Sequence, residues 1–279
     1  MPQRIGIDFI GSQTHIAAVD TDTDGQPTAE IDLYETYSDL EASVADNSSI
    51  TVGVPDNLCQ VKSLRLTASS ESDLRLRAQF ELSQSQLEPA ESFLYDLIST
   101  ERDHRLLGLI YRRKSLMEWI SGCHLPESIS IETINYRGRS AALGYGYMQF
   151  CRPVAGDLVC LADFGRPVVG ICFVYNRQIV DLARRETVQA TLSDEAALRR
   201  LAIDFKTIVN FRLMALADAG ISVPLSQLVV VGASESLHSL LAEYFPVGVS
   251  RPELLLSVAV KGEFDDPAAG LVSLGLTVY

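Results

Sequence analysis

Two segments of this chain share one grammar. Arg4 to Asp20 reads RIGIDFIGSQTHIAAVD, and Leu158 to Val180 reads LVCLADFGRPVVGICFVYNRQIV. Each is an apolar strand, the pair Asp-Phe, a turn containing glycine, and a second apolar strand. A unit of that form is a strand, a tight turn and a strand. Its return about 155 residues later points to a duplicated unit. The chain must therefore supply two sheets, each opened by a hairpin with an aspartate beside its turn.

Its 279 residues, 47% apolar and 21% charged, are enough to bury a substantial core and are those of a globular chain. The formal charge of −13 disfavours general affinity for nucleic acid or anionic lipid. No apolar run approaches the ~20 residues that cross a bilayer, and the N-terminus opens on a strand pattern without a signal-peptide core, so the expectation is a cytosolic chain. Five cysteines without CxxC spacing read as buried thiols, and four scattered histidines give no zinc or Cys-His pattern. Asp20 to Gly25 begins like a calcium loop, but Ile31 stands where the bidentate acid belongs, so it reads as a turn. The basic cluster Tyr111-Arg112-Arg113-Lys114 reads as a solvated helix start.

Between the hairpins the pattern gives a strand near Glu30 to Tyr37, a short buried run at Ile50 to Pro55, and an alternating run at Val61 to Leu66 with Lys62 and Arg65 facing out. Ser70-Glu71-Ser72-Asp73 has the form of a capping box, opening a helix with Leu74, Ala78 and Leu82 as its stripe and Phe80 alongside. Strands follow near Phe93 to Ile98 and Leu106 to Tyr111, then a helix from Arg113 to Cys123. Tyr145, Tyr147 and Phe150 read as packing between lobes, and composition shifts near Pro153-Val154-Ala155-Gly156. Beyond the second hairpin a long helix, Ser193 to Ala219, is capped by Ser193 and stopped by Gly220, with Leu198, Leu201, Phe205, Ile208 and Arg212 on neighbouring turns. A buried strand at Leu228 to Val231, the turn Gly232-Ala233-Ser234 and a helix to Phe245 then place backbone N–H groups at a helix N-terminus.

Two α/β halves with Asp hairpins and a late strand-glycine-helix turn resemble the actin-like ATPase superfamily of sugar kinases, heat-shock chaperones and actin. Within it the whole chain is similar to the PilM-like proteins of type IV pilus assembly, with FtsA and the cytoplasmic part of GspL as relatives. GIDFIGSQTH resembles the first phosphate segment, and ITVGVPDNLCQVKSLRL with ESDLRLRAQFELSQSQLEPAE the inserted subdomain. LADFGRPVVGICFVYNRQIV resembles the second phosphate hairpin, LVVVGASESLHSLLAEYFPVGV the adenosine-side turn, and DDPAAGLVSLGLTVY the closing helix. The resemblance implies a two-lobed actin-like fold of ribonuclease H-like repeats, with a first lobe at 1–153, a small α/β subdomain inserted at about 55–112, and a second lobe at 154–279. It also implies ATP with Mg²⁺ between the lobes, and binding to the cytoplasmic tail of a PilN-like inner-membrane protein. The chain would then sit at the inner membrane through that partner, without inserting, and with scope for self-association.

Carried over residue by residue, the nucleotide site comprises Asp8, Gly11, Ser12 and Thr14, then Asp163, Gly165 and Arg166, then Gly232 and Ser234. Asp8 and Asp163 would reach Mg²⁺ through water, and no catalytic residue is carried over. Each motif departs from the family pattern. Ile10 stands where glycine belongs and His15 where the family has lysine. Pro167 removes an N–H donor from the second turn. Gly232-Ala233-Ser234 replaces a turn of two or three glycines, and Ser234 reads as an N-cap. Arg166 is either a surface residue or a charged fork for phosphate or a carboxylate. The leading reading is a partner-binding scaffold with a degraded cleft, in which binding of ATP and Mg²⁺ stays open and hydrolysis is not expected; the alternative is an active ATPase or small-molecule kinase of the same superfamily, with Asp8 or Asp163 handling metal and base work. A GspL-like module would differ by carrying a membrane helix.

Overall fold

The computed structural model describes residues 3–10, 13–21, 27–34, 48–66, 70–99, 105–123, 125, 129, 133–151, 153, 156–186, 194–261, 264 and 266–278. β1 (Arg4–Ile10) and β2 (Gln13–Thr21) form the first hairpin, with Asp8 opposite His15 and Phe9 opposite Thr14. β3 (Pro27–Tyr34) continues the antiparallel meander, β4 (Ser49–Val54) joins the other side of β1 in parallel, and β8 (Asn135–Gly138) lies parallel to β4. The second sheet repeats this plan. β9 (Leu158–Asp163), β10 (Val168–Tyr175) and β11 (Gln178–Glu186) form the meander, β12 (Leu225–Val231) runs parallel to β9, and β13 (Gly248–Ser250) parallel to β12. Both sheets therefore have the order third, second, first, fourth, fifth. β14 (Val258–Lys261) returns from the second lobe to lie parallel to β3.

β9 is buried at every position, as a central strand covered on both faces must be. Two helices occupy the space between the sheets, α3 (Arg139–Phe150) and α6 (Leu271–Leu276). A Cβ at Gly275 would stand 1.8 Å from the Ala142 carbonyl oxygen, and one at Gly146 2.2 Å from that of Leu271. The helices cross with their backbones in contact, which glycine alone allows. Around the crossing one core runs from sheet to sheet, through Ala17 and Leu33, Leu271 and Leu274, Leu143 and Tyr147, then Val159 and Leu161. Tyr147 and Phe150 thus pack between the lobes as expected, although the sequence pattern gave no helix there.

On the outer face of the second sheet lie α4 (Glu195–Asp218) and α5 (Glu235–Tyr244), with Phe205, Val209, Leu237 and Leu241 set against Val169, Ile171 and Phe173. Asp194 caps α4 by accepting from the Ala196 N–H at 3.1 Å. The expected cap, Ser193, lies outside the described residues. On the first sheet α2 (Arg113–Ser121) places Ile120 among Ile5, Ile7 and Val52.

The third sheet has the order β5 (Cys59–Arg65), β7 (Arg105–Arg112), β6 (Phe93–Ser99), and α1 (Glu71–Gln84) covers one face. Ser70 caps α1 through the Asp73 N–H at 3.2 Å, and Ala78 and Leu82 meet Leu64, Leu106 and Ile110. The other face gives Leu107, Leu109 and Tyr111 to the main core. Period-two alternation separates two residues expected to face out together. Lys62 shares the face of Leu64, whereas Arg65 shares that of Val61 and Ser63.

Candidate functional site

Asp8 ends up fully buried near the end of β1, and Asp163, at the end of β9, is 5% exposed. Both sit near the end of the first strand of a hairpin, and the matching sheet topologies bring these two strand ends face to face. Arg166, from the second turn, lies between them. Its Nε donates to Asp163 Oδ2 at 3.0 Å and its Nη2 donates to Asp8 Oδ2. Its Nη1 donates to the Phe9 carbonyl at 3.4 Å. Arg139, the first residue of α3, donates from Nε to Asp8 Oδ1 at 2.7 Å and from Nη2 to the Phe9 carbonyl. The Gly165 N–H donates to Asp163 Oδ1 at 2.9 Å. All four carboxylate oxygens of the two aspartates are therefore held by donors of the chain itself. Burial alone would pull the Arg166 pKa down, but the charges of Asp8 and Asp163 outweigh it and hold the guanidinium above the usual arginine value. Arg166 is itself 5% exposed, which settles its place: it is not a surface residue of the hairpin.

Asp56, in the turn Asp56–Leu58 after β4, accepts the Ser140 N–H at 3.1 Å, placing a negative charge at the N-terminus of α3. Some of the residue's surface stays open, but its carboxylate turns inward and burial pushes its pKa up, against the opposing pull of Ser140 and Arg139. A Cβ at Gly170 of β10 would lie 2.6 Å from both Asp56 Oδ2 and Ser140 Oγ, so the lobes are in close contact here too.

The turn after β12 closes the remaining side. Phe164 N–H donates to the Val231 carbonyl at 2.8 Å. Gly232 adopts φ +66°, and a Cβ there would stand 2.5 Å from the Gly165 nitrogen. The turn therefore rests directly on the second hairpin. Ser234 caps α5, accepting from the Leu237 N–H at 3.3 Å. His15 is buried, with Nδ1 3.1 Å from the Ala269 carbonyl and its ring tilted over Phe264.

Beside the clamp a groove of about 710 Å³ opens between the two hairpins and α2. Phe9 and Trp119 meet edge to face at 6.2 Å along it, and Val168, Arg139 and Arg166 also line it. Cys123 also lines it, but burial pushes its pKa up to about 11, leaving a neutral thiol and a poor nucleophile at pH 7. Among the described residues no group of three or more His, Cys, Asp or Glu side chains is arranged to hold a metal ion.

Of the residues singled out from sequence, Asp8, Asp163, Gly165, Arg166 and Gly232 come together. Thr14 lines the groove, Ser234 serves a helix end, and Gly11 and Ser12 lie outside the described residues. Two members were missed. Arg139 opens α3, whose signal was a strand followed by Gly138 and a run of small residues, and Asp56 stands in the turn after the buried run of β4.

Two lobes of one five-strand topology, hairpins apposed across a cleft and a crossing pair of helices between them define a protein of the actin-like ATPase fold. The particular likeness spans the chain. A PilM–PilN type IV pilus biogenesis complex matches with a TM-score of 0.69 at 10% identity, over 99% of this chain and 97% of the other. A Bacteroides thetaiotaomicron protein with an actin-like ATPase fold and unknown function matches with a TM-score of 0.49 at 8% identity, over 89% and 90% of the two chains. The cytoplasmic domain of EpsL, an inner-membrane component of the Vibrio cholerae type II secretion system, matches with a TM-score of 0.44 at 10% identity, over 98% and 94%. No protein-family model matches the sequence, and no curated protein matches it significantly. No helix among the described residues is long and apolar enough to cross a membrane.

Proposed function

We propose that this chain is an actin-like assembly protein of a type IV pilus or related secretion system, whose cleft is held together by its own arginines in place of a metal-nucleotide complex. The lobes divide at 153/154, with the subdomain at about 55–112 inserted in the first. The protein works in the cytoplasm by binding the cytoplasmic tail of a PilN-like inner-membrane partner, and it reaches the membrane through that partner. Support for the partner is the full-length likeness to the chain of a PilM–PilN complex.

The observation that carries the proposal for the cleft is the occupancy of Asp8 and Asp163. A hydrated Mg²⁺ would have to approach these carboxylates, and here each oxygen already accepts from Arg139, Arg166 or Gly165, with two guanidinium charges beside them to repel a cation. The residues present do not fit a hydrated Mg²⁺ as they stand. Pro167 offers no N–H to a phosphate, and the contact of Gly232 with Gly165 leaves no space between turn and hairpin. Asp8, Gly11, Ser12, Thr14, Asp163, Gly165, Arg166, Gly232 and Ser234 thus record an inherited site with its charge supplied from within. Turnover by an ATPase or kinase would first require both arginines to leave.

The groove walled by Phe9, Trp119 and Val168 is the apolar surface such a tail would use. Trp119 is the single tryptophan, so its emission reports on docking. Titrating a synthetic PilN-like tail into the full chain should shift that emission saturably, and Trp119→Phe should remove the signal. A tail that binds nowhere on the chain, together with MgATP turnover, would favour the enzyme reading.

A further inference from the structure

A second charged feature lies where the three-stranded sheet meets the second lobe. β5 and β11 are each the outermost strand of their sheets, and a cavity of about 250 Å³ separates them. Asp181 of β11 is buried there, with both carboxylate oxygens taken by Arg212 at 2.6 Å. Arg212 also donates to the Leu182 carbonyl at 2.8 Å. Arg184 crosses the groove to donate to the Cys59 carbonyl at 2.9 Å and to that of Asp56.

Further along β5, Arg65 and Arg105 of β7 are direct cross-strand partners on one face of the pair. Like charges at that spacing repel and destabilise a sheet. Arg105 donates to Ser63 Oγ at 3.0 Å. Burial pulls its pKa down, Asp181 opposes that, and the charges of Arg65 and Arg212 add to it. Arg184 and Arg212 line the cavity, and Arg105 feels the charges of Asp181, Arg65 and Arg212, so four guanidinium groups lie along this junction in a chain whose net charge is −13.

We propose that this groove and the β5 edge that continues it dock a short acidic segment of a partner protein in extended form, its carboxylates taken by the fork of Arg184 in the cavity and that of Arg65 at the far end of β5. Guanidinium matches carboxylate geometry and gains strength where water is partly excluded. Two facing strand edges favour an extended chain, and the exposed Gln60 and Val61 beside them offer it a wall. A long polyanion is disfavoured, because beyond the groove the acidic surface repels it. Arg65 and Arg105 would then be held opposite each other for binding, at the expense of stability.

The test is fluorescence anisotropy of a labelled glutamate-rich peptide with the full chain at low salt. The expected result is saturable binding that weakens with added salt, and is weaker by about tenfold or more in the R65Q/R184Q double variant. Arg199→Gln, on the exposed surface of α4 and paired there with Glu195, should leave it unchanged. Arg65→Gln alone should raise the melting temperature slightly, because it removes a repulsion. The proposal fails if the peptide does not bind, if the double variant binds as well as the natural chain, or if Arg65→Gln lowers the melting temperature. It also fails if inorganic phosphate competes on equal terms, or if single-stranded DNA of equal charge binds more tightly.

Discussion

Arg166→Ala removes the guanidinium that satisfies one oxygen of each aspartate, and leaves the fully buried Asp8 with Arg139 as its remaining cation. Removing one member of a buried ion cluster strands a charge and costs about 3–5 kcal/mol. With an unfolding entropy of ~2.1 cal/mol/K per residue, a chain of 279 residues should lose roughly 5–9 °C of melting temperature. Thermal unfolding of both chains by circular dichroism at neutral pH measures it. A loss below about 1 kcal/mol would refute the clamp, since exposed pairs are worth that little.

Asp56→Asn should be at least as stable as the natural chain at neutral pH, because burial raises the Asp56 pKa, and the difference should vanish near the unfolded carboxylate value of about 3.9; urea melts across pH check this. Gly275→Ala forces a Cβ to 1.8 Å from the Ala142 carbonyl oxygen, so it should cost more than the ~1–3 kcal/mol of ordinary overpacking, read as lost soluble yield or a collapsed melting temperature. Tyr111→Phe strands the buried Gly138 N–H that donates to the tyrosine oxygen at 2.8 Å, for an expected loss of about 1–3 kcal/mol in urea unfolding.

How much of this was legible in sequence differs from element to element. The two hairpins announced themselves, because Asp-Phe and a glycine turn between apolar runs is a local pattern, and its repetition fixed the two-lobed plan. The helix of Arg139 to Phe150 did not. Its residues are buried nearly all round, so Ser140, Ala141, Ala142, Leu143, Gly144, Gly146 and Tyr147 show no polar face to give a period. Arg166 stood out, but its partner across the lobes did not, since a contact between residues 158 positions apart leaves no trace in spacing. Ser234 was the reverse case, a local cap that spacing gave directly. The groove between β5 and β11 was illegible for the same reason as the clamp: it exists only where two sheets meet.

The central claim is that Asp8 and Asp163 are occupied by Arg139 and Arg166 rather than by a metal and nucleotide. Calorimetric titration of millimolar MgATP into the natural chain tests it most directly. The account predicts no binding heat. A saturable heat that Asp163→Ala abolishes would contradict it, because the Arg166 guanidinium, with its positive charge, fills the place between Asp8 and Asp163 that the metal would take.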